Sequence, residues 1–189
     1  MLPEGYEIRP LKTTDAEAFA AAYRDNREHL APWDPVRPES FFTVEAQAAE
    51  IDKQLADLER GKRHTYVLWH GDVVAGRIAI DNIVRGVLQS ATIGYWVAHD
   101  HTRRGLGTAL VEHAATEARG LGLHRLEAGT RLPNEPSQAV LRKAGFQQYG
   151  VAERFLFIAG EWTDHVLFQR ILHDDPPGNP PPPASVGEA

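Results

Sequence analysis

The stretch HDHTRRGLGTALVEHAATEA, His99 to Ala118, places two arginines and two glycines between an apolar run and an amphipathic helix. A turn of this composition can hold an anion. The first N–H groups of a helix have no internal partner, and the helix dipole adds partial positive charge at the same end. Glycine lets the backbone approach a ligand closely and take dihedrals that strain other residues. Arg103 and Arg104 add full charges beside Gly105 and Gly107, so the segment reads as a nest for a diphosphate. The other reading is an ordinary glycine turn with solvated arginines. Neither common phosphate fingerprint is present. Gly107 is followed by Thr108 and Ala109 where a Walker motif has Lys and Ser/Thr, and the third glycine of a dinucleotide pattern would fall on Leu110.

The elements that must carry this turn follow from residue periodicity. Tyr6 and Ile8 alternate in YEIRPL, a strand ended by Pro10. TTDAEAFAAAYRDNREHL predicts an alanine-rich helix capped by Thr14 or Asp15. APWDPVRPES must be a loop, and TVEAQAAEIDKQLADLERG a second helix running from the cap Thr43 to the stop Gly61. HTYVLWH and VVAGRIAIDNIV are β-branched runs joined by Gly-Asp, a hairpin, and SATIGYWVA is the next strand. Leu106 to Arg119 predicts a helix with Leu106, Leu110, His113 and Ala114 on one side. HRLEAGT is a strand, PSQAVLRKAG a helix with Pro136 in its first turn, and two strands flank Gly160. The order predicts a mixed α/β domain over residues 1–173, with a crossover helix between the strand ending at Ala98 and the one beginning near His124. From residue 174, DDPPGNPPPPASVGEA is proline-rich and polar and reads as a disordered tail.

Composition narrows the classes of function. A chain of 189 residues suits one domain with a real core. The absence of cysteine excludes disulfides, thiolate metal sites and a cysteine nucleophile together. His99 and His101 stand one residue apart with no third ligand signalled, so no metal is expected. No apolar run is long enough to span a bilayer and no signal pattern opens the chain, which predicts a cytoplasmic protein without a membrane partner. A formal charge of −6 argues against direct nucleic-acid binding and suits a cationic partner such as an amine.

On these residues the chain resembles the GCN5-related N-acetyltransferases, the GNAT superfamily, whose coenzyme A loop reads Q/R-x-x-G-x-G/A after the fourth strand. Counted from Val97, Gly105 and Gly107 fill the two small positions and Thr102 stands at the opening Gln/Arg, a departure. Shifted by two residues, Arg104, Gly107 and Ala109 match the pattern but sit less well against the strand end. Both registers use the backbone of Arg103, Arg104, Gly105, Leu106, Gly107 and Thr108. IRPLKTTDAEAF resembles the family's first strand and helix. NEPSQAVLRKAGF resembles the N-x-x-S…K-x-GF segment of the RimJ/RimL branch, the ribosomal-protein N-terminal acetyltransferases. IVRGVLQSATIGYWV and FLFIAGEWTDHVLF resemble the RimJ side of it, and the likeness runs from Tyr6 to about Leu172.

The resemblance implies a GNAT fold: a mostly antiparallel mixed sheet of about seven strands, splayed between the fourth and fifth, flanked by about four helices. It implies acetyl-CoA as cosubstrate, its arm lying along the free edge Tyr95 to His99, with the Val97 N–H aimed at the thioester carbonyl. Asn134 would hydrogen-bond that arm as well as cap its helix, and Ser137 would face the thiol as a candidate proton donor. Glu127, on the same strand face as Gly129, is the implied base or water-holder; a structural pairing with Arg125 or Arg131 is its other reading, and Asp81 and Glu153 are alternatives. Trp33 and Asp34, with Tyr95 and Trp96, would wall the acceptor. The implied acceptor is the α-amine of a ribosomal or other protein N-terminus, acted on by a monomer or homodimer. An α-amine titrates at about 7.7–8.0 against about 10.4 for lysine, so it demands less of a base. A small amine as acceptor, or a coenzyme A-binding module without turnover, are the competing readings.

Overall fold

The computed structural model describes residues 2–177, so the predicted tail lies outside the described residues from 178 onward. β1 (Tyr6–Pro10) leads into α1 (Ala16–Asp25), the one-turn α2 (Arg27–Leu30) and, after the proline loop and a 3-10 turn at Glu39–Phe42, α3 (Val44–Glu59). β2 (His64–His70), β3 (Val73–Val84) and β4 (Ser90–Val97) form a meander. α4 (Leu106–Gly120) then crosses to β5 (Arg125–Arg131), and α5 (Glu135–Lys143) precedes the hairpin β6 (Gln147–Ile158) and β7 (Glu161–Ile171). The seven strands make one sheet ordered β1-β2-β3-β4-β5-β7-β6, in which only β4 and β5 run parallel.

The side-chain pattern explains the layering. Leu106, Leu110, Ala114 and Ala118 of α4 and Leu141 of α5 cover one face of the sheet, against Ile78, Ile80, Leu126 and Phe168. Burial of each leucine contributes about 1.5–3 kcal/mol. His113, predicted on this side, sits half-buried and edge-on to Tyr66 with ring centroids 4.6 Å apart. On the other face, Phe19 and Tyr23 of α1 and Ile51 of α3 pack on Val67 and Val74.

Two local expectations need correction. The first predicted helix is broken at Asn26, whose φ of −106° and ψ of 14° are not helical and whose Nδ2 donates to the Ala22 carbonyl at 2.9 Å. Neither Thr14 nor Asp15 caps α1 with its side chain. The Asp15 carboxylate is taken by Arg9, at 2.7 and 3.0 Å, and by the Lys12 N–H at 2.9 Å, which tie the helix start to β1. Thr43 does cap α3, its hydroxyl accepting from the Ala46 N–H at 3.2 Å.

The feature that makes a site is where the sheet stops being a sheet. β4 and β5 pair over three rungs only, Ser90 with Arg125, Ala91 with Leu126 and Thr92 with Glu127. Beyond them β4 continues beside β3 to Val97, while β5 continues beside β7 to Arg131. The two central strands therefore part, leaving a wedge whose arms have unpaired backbone edges.

Candidate active site

One arm of the wedge is the end of β4. The Ala98 N–H donates to the Ala75 carbonyl at 2.9 Å, so strand alternation turns the N–H groups of Val97 and Tyr95 away from β3, toward the gap. His29 donates from Nε2 to the Val97 carbonyl at 3.2 Å. The chain then makes a short 3-10 turn, His99–His101, and enters α4 through Arg103 at φ +60° and Gly105 at φ +78°. Among the described residues, no N–H of residues 103–108 finds an acceptor, and no side chain caps the helix. Six consecutive donors, two left-handed residues and two arginines are what a diphosphate requires of its cradle, so the segment fits that group. The Arg104 side chain reaches back to the Asp100 carbonyl at 3.3 Å. His99 does not extend the free edge to its own residue: its N–H is taken by Asn26 Oδ1 at 2.7 Å, and its ring points outward beside Asp100.

A cleft of about 260 Å³ passes through the wedge. On the α4–α5 side it meets Tyr95, Asn134 and Ser137. Asn134 Oδ1 accepts the Ser137 N–H at 3.2 Å, which caps α5 and leaves the Asn134 amide NH₂ without a partner among the described residues. The Tyr95 hydroxyl lies 2.9 Å from Ser137 Oγ and bridges the gap from β4 to the helix after β5. Burial pushes the Tyr95 phenol up to about 12, so it remains a protonated donor throughout the neutral range. Thr130, buried among the lining residues, has a hydroxyl with no partner among the described residues.

On the opposite side the cleft meets Trp33, Asp34, Tyr23, Arg77, Trp96 and His165. Asp34 pairs with Arg37 at 3.0 Å, and its carbonyl accepts the Ala159 N–H at 3.1 Å. Arg131 donates to the Pro32 carbonyl at 2.7 Å and to Glu161 at 3.0 Å. The proline loop is thus fastened to the β6–β7 turn across the mouth of the cleft. Tyr23 Oη accepts from Trp96 Nε1 at 3.3 Å and from Arg77 at 3.4 Å. Among the described residues Arg77 has no carboxylate within ion-pair distance, in contrast to Arg37 and Arg131.

The residues predicted from sequence divide accordingly. Tyr95, Asn134, Ser137, Trp33 and Asp34 meet in one cleft; Val97 and residues 103–108 do not line it, and Gly107 approaches it from behind Tyr95, where a Cβ would stand 3.8 Å from the ring. Glu127 does not line it. The carboxylate stands on the last paired rung of β4 and β5, bound to Arg125 and accepting the Tyr149 hydroxyl at 3.2 Å. Strand parity gave the correct face, but the wedge opens only beyond this residue. Asp81 is held by Arg63, and Glu153 is exposed on β6; neither lines the cleft. Tyr23, Arg77, Thr130, His165 and the Tyr95 side chain were not singled out as chemistry. A lone arginine in the otherwise apolar run VVAGRIAI was the available signal for Arg77.

A second cavity of about 600 Å³ lies beside α1 and the β2–β3 turn, lined by Asp25, Asn26, His29, Asp72, His99 and His101. Among the described residues no group of three or more His, Asp or Glu is placed to hold a metal, and no helix is long and apolar enough to cross a membrane.

Comparison with known proteins agrees with this architecture. Residues 6–147 match the family described as acetyltransferase (GNAT) domain. The chain is 33% identical over 171 residues to the "Probable N-acetyltransferase YjcK" of Bacillus subtilis (strain 168), covering 89% of this chain and 94% of that one. It is 30% identical over 174 residues to the [ribosomal protein uS5]-alanine N-acetyltransferase of Escherichia coli (strain K12), covering 90% of each. Mycobacterium smegmatis RimJ, solved in complex with CoA-disulfide, superposes with a TM-score of 0.84 at 31% identity, covering 88% of this chain and 81% of that one. With the splayed sheet and these matches together, the chain belongs to the GNAT acetyltransferases, in their RimJ/RimL-like branch, and is an N-acetyltransferase.

Proposed function

We propose that this protein transfers the acetyl group of acetyl-CoA directly to the α-amine at a protein N-terminus, working in the cytoplasm with residues 1–173 as its catalytic domain. The observation that carries the reading is the cleft through the wedge. Its wall residue Tyr95 packs beside Gly107 in a run of unpartnered amides suited to a diphosphate, and the cleft itself suits an amine. When bound, the cosubstrate supplies an acetyl group activated as a thioester. Residues 103–108 bind its diphosphate, and Asn134 offers its free NH₂ to the arm. The Val97 N–H faces the gap and stabilises negative charge as it develops on the carbonyl oxygen. Tyr95 and Ser137, 2.9 Å apart, hold a proton where the sulfur departs. The paired hydroxyls are better suited to this than a lone serine, because Tyr95 orients Ser137 and the phenol is the stronger acid.

Three features support an α-amine acceptor. The relatives named above include an enzyme that acetylates a ribosomal protein's alanine. The acceptor side of the cleft carries Arg77, whose positive charge disfavours an ammonium and favours a neutral amine beside it. The same guanidinium can donate to the carbonyl that follows an α-amine, a group absent from simple alkylamines. The test is calorimetry with acetyl-CoA followed by thiol release across N-terminal peptides, polyamines and amino-acid analogues. Saturable binding with turnover on peptides is expected. Turnover confined to small amines would move the acceptor to that class, and binding without turnover would leave a coenzyme A-binding module.

A further inference from the structure

The cleft contains a base. His165 lies on β7 opposite Arg131 of β5, is 3% exposed, and lines the acceptor side. Its Nδ1 is 3.0 Å from the Thr163 carbonyl. A carbonyl only accepts, so Nδ1 carries the proton of the neutral ring and Nε2 keeps a free lone pair. Nε2 has no hydrogen-bond partner among the described residues, and the residue lines the cleft. Gly129 lies beside it in the cleft wall, where a Cβ would stand 3.6 Å from Cδ2, the carbon bonded to Nε2. Phe155 covers the ring from β6, with centroids 5.5 Å apart.

The charges facing this imidazole are Arg131 from β5 and Asp164 beside it, with Arg77 of β3, Asp34 and Arg37 of the proline loop and the Tyr23 hydroxyl of α1 across the cleft. Burial lowers the His165 pKa from its ordinary 6.5; the bond to Thr163 opposes that, Arg131 reinforces it and Asp164 opposes it. The ring is therefore an unprotonated acceptor at neutral pH.

We propose that His165 is the general base of the transfer, accepting a proton at Nε2 from the ammonium of the acceptor. The assignment presupposes the acetyl-transfer reading above. The nitrogen lone pair freed by this step forms the C–N bond, and the C–S bond breaks with its electron pair leaving on sulfur. Of the two protons the nitrogen sheds, one passes through Nε2 to water. The other balances the proton that sulfur receives from the Tyr95–Ser137 pair, whose hydroxyls are then restored. The products are an amide, a thiol and one proton.

The test is the pH dependence of kcat/KM with an N-terminal peptide, in the wild type and in two variants. His165→Asn keeps a side-chain N–H for the Thr163 carbonyl but loses the basic nitrogen; His165→Gln places a non-basic amide near the same depth. In the wild type the acid limb is expected below 6.5, the ordinary histidine value. In either variant it moves to the acceptor's own pKa, about 7.7–8.0, because only neutral amine then reacts. At pH 7 the rate falls by about tenfold, the share of the α-amine that is neutral there being about a tenth, and the deficit closes by about pH 9 as the amine deprotonates unaided. Thermal midpoint and acetyl-CoA affinity remain those of the wild type. A deficit of equal size at both ends of the range, or a wild-type limb already at the acceptor's pKa, overturns the assignment; the second result needs no variant to fold. A wild type that binds acetyl-CoA and acetylates no amine overturns the functional reading itself, and is distinguishable because it appears before any substitution.

Discussion

The Tyr95–Ser137 contact separates structure from catalysis by magnitude. The two hydroxyl oxygens are 2.9 Å apart, and Tyr95 also reaches the Ser137 carbonyl at 3.3 Å. A neutral hydrogen bond contributes about 0.5–1.5 kcal/mol to stability, so Tyr95→Phe should lower the thermal midpoint by about 2–4 °C in a domain of this size. Ser137→Ala should cost less, because the phenol can turn to the carbonyl. If the pair served only to hold β4 against α5, a loss of about 1 kcal/mol would correspond to at most about a fivefold change in rate. A proton donor to the departing sulfur is worth about 10²–10⁴-fold. Thiol release at saturating acetyl-CoA and peptide is therefore expected to fall at least about 10²-fold in each single variant. Two hydroxyls acting as one relay are not additive, so the double variant should be little slower than the worse single one. Because the phenol titrates near 12, the profile below about pH 10 should keep its shape in Tyr95→Phe. Single variants within about fivefold of wild type, or losses that multiply in the double variant, would refute the relay.

Other perturbations test the frame around that pair. Asn26→Ala strands the His99 N–H, while the Ala22 carbonyl keeps the backbone N–H of position 26, so it should cost about 1–3 kcal/mol and weaken acetyl-CoA binding by calorimetry, since the bond at 2.7 Å anchors the turn before the amide cradle. Gly76→Ala would place a Cβ 2.6 Å from the Trp96 carbonyl; the forced shift should cost about 1–3 kcal/mol in urea unfolding and disturb the neighbouring Val97 edge. Arg77→Met removes a cation that has no carboxylate partner among the described residues, so stability should hold or rise while KM for a peptide acceptor increases. Burial lowers the pKa of His64, His101, His113 and His165 in the folded state. Their stabilisation is present above the unfolded value of 6.5 and lost as pH falls through the folded values, so the urea midpoint should decline between pH 7 and about pH 5; a flat midpoint would contradict the burial argument.

What was legible in the sequence follows the range over which each signal acts. The order of strands and helices could be read from local periodicity, because burial on one face imposes a period of two or 3.6 along the chain itself. The amide cradle was legible for the same reason: Arg103, Gly105 and Gly107 are neighbours, and their backbone geometry needs no distant partner. The local misreadings arose where a side chain chose a remote partner over a near one. Asp15 looks like a helix cap, but its carboxylate goes to Arg9 on the preceding strand. Asn26 looks like an ordinary helical position, but its Oδ1 is committed to His99, 73 residues away.

Glu127 and His165 carry the same lesson into the chemistry. Parity placed Glu127 on the cleft face, yet a catalytic group must also lie beyond the last shared rung, and that rung is set by how far β4 and β5 run together. No local pattern encodes that length. His165 reads as one polar residue in TDHVLF, and its tautomer depends on the Thr163 carbonyl two residues back. Its place in the cleft wall is shared with Gly129, one strand over and 36 positions earlier in the sequence. The Glu127 carboxylate is already committed to Arg125 and to the Tyr149 hydroxyl, whereas the imidazole has a nitrogen without a partner among the described residues. The proton should therefore follow the free lone pair. Glu127→Gln, which removes the charge but keeps the shape, is expected to leave the acid limb of kcat/KM where the wild type has it; a limb displaced by that substitution would return the base to Glu127.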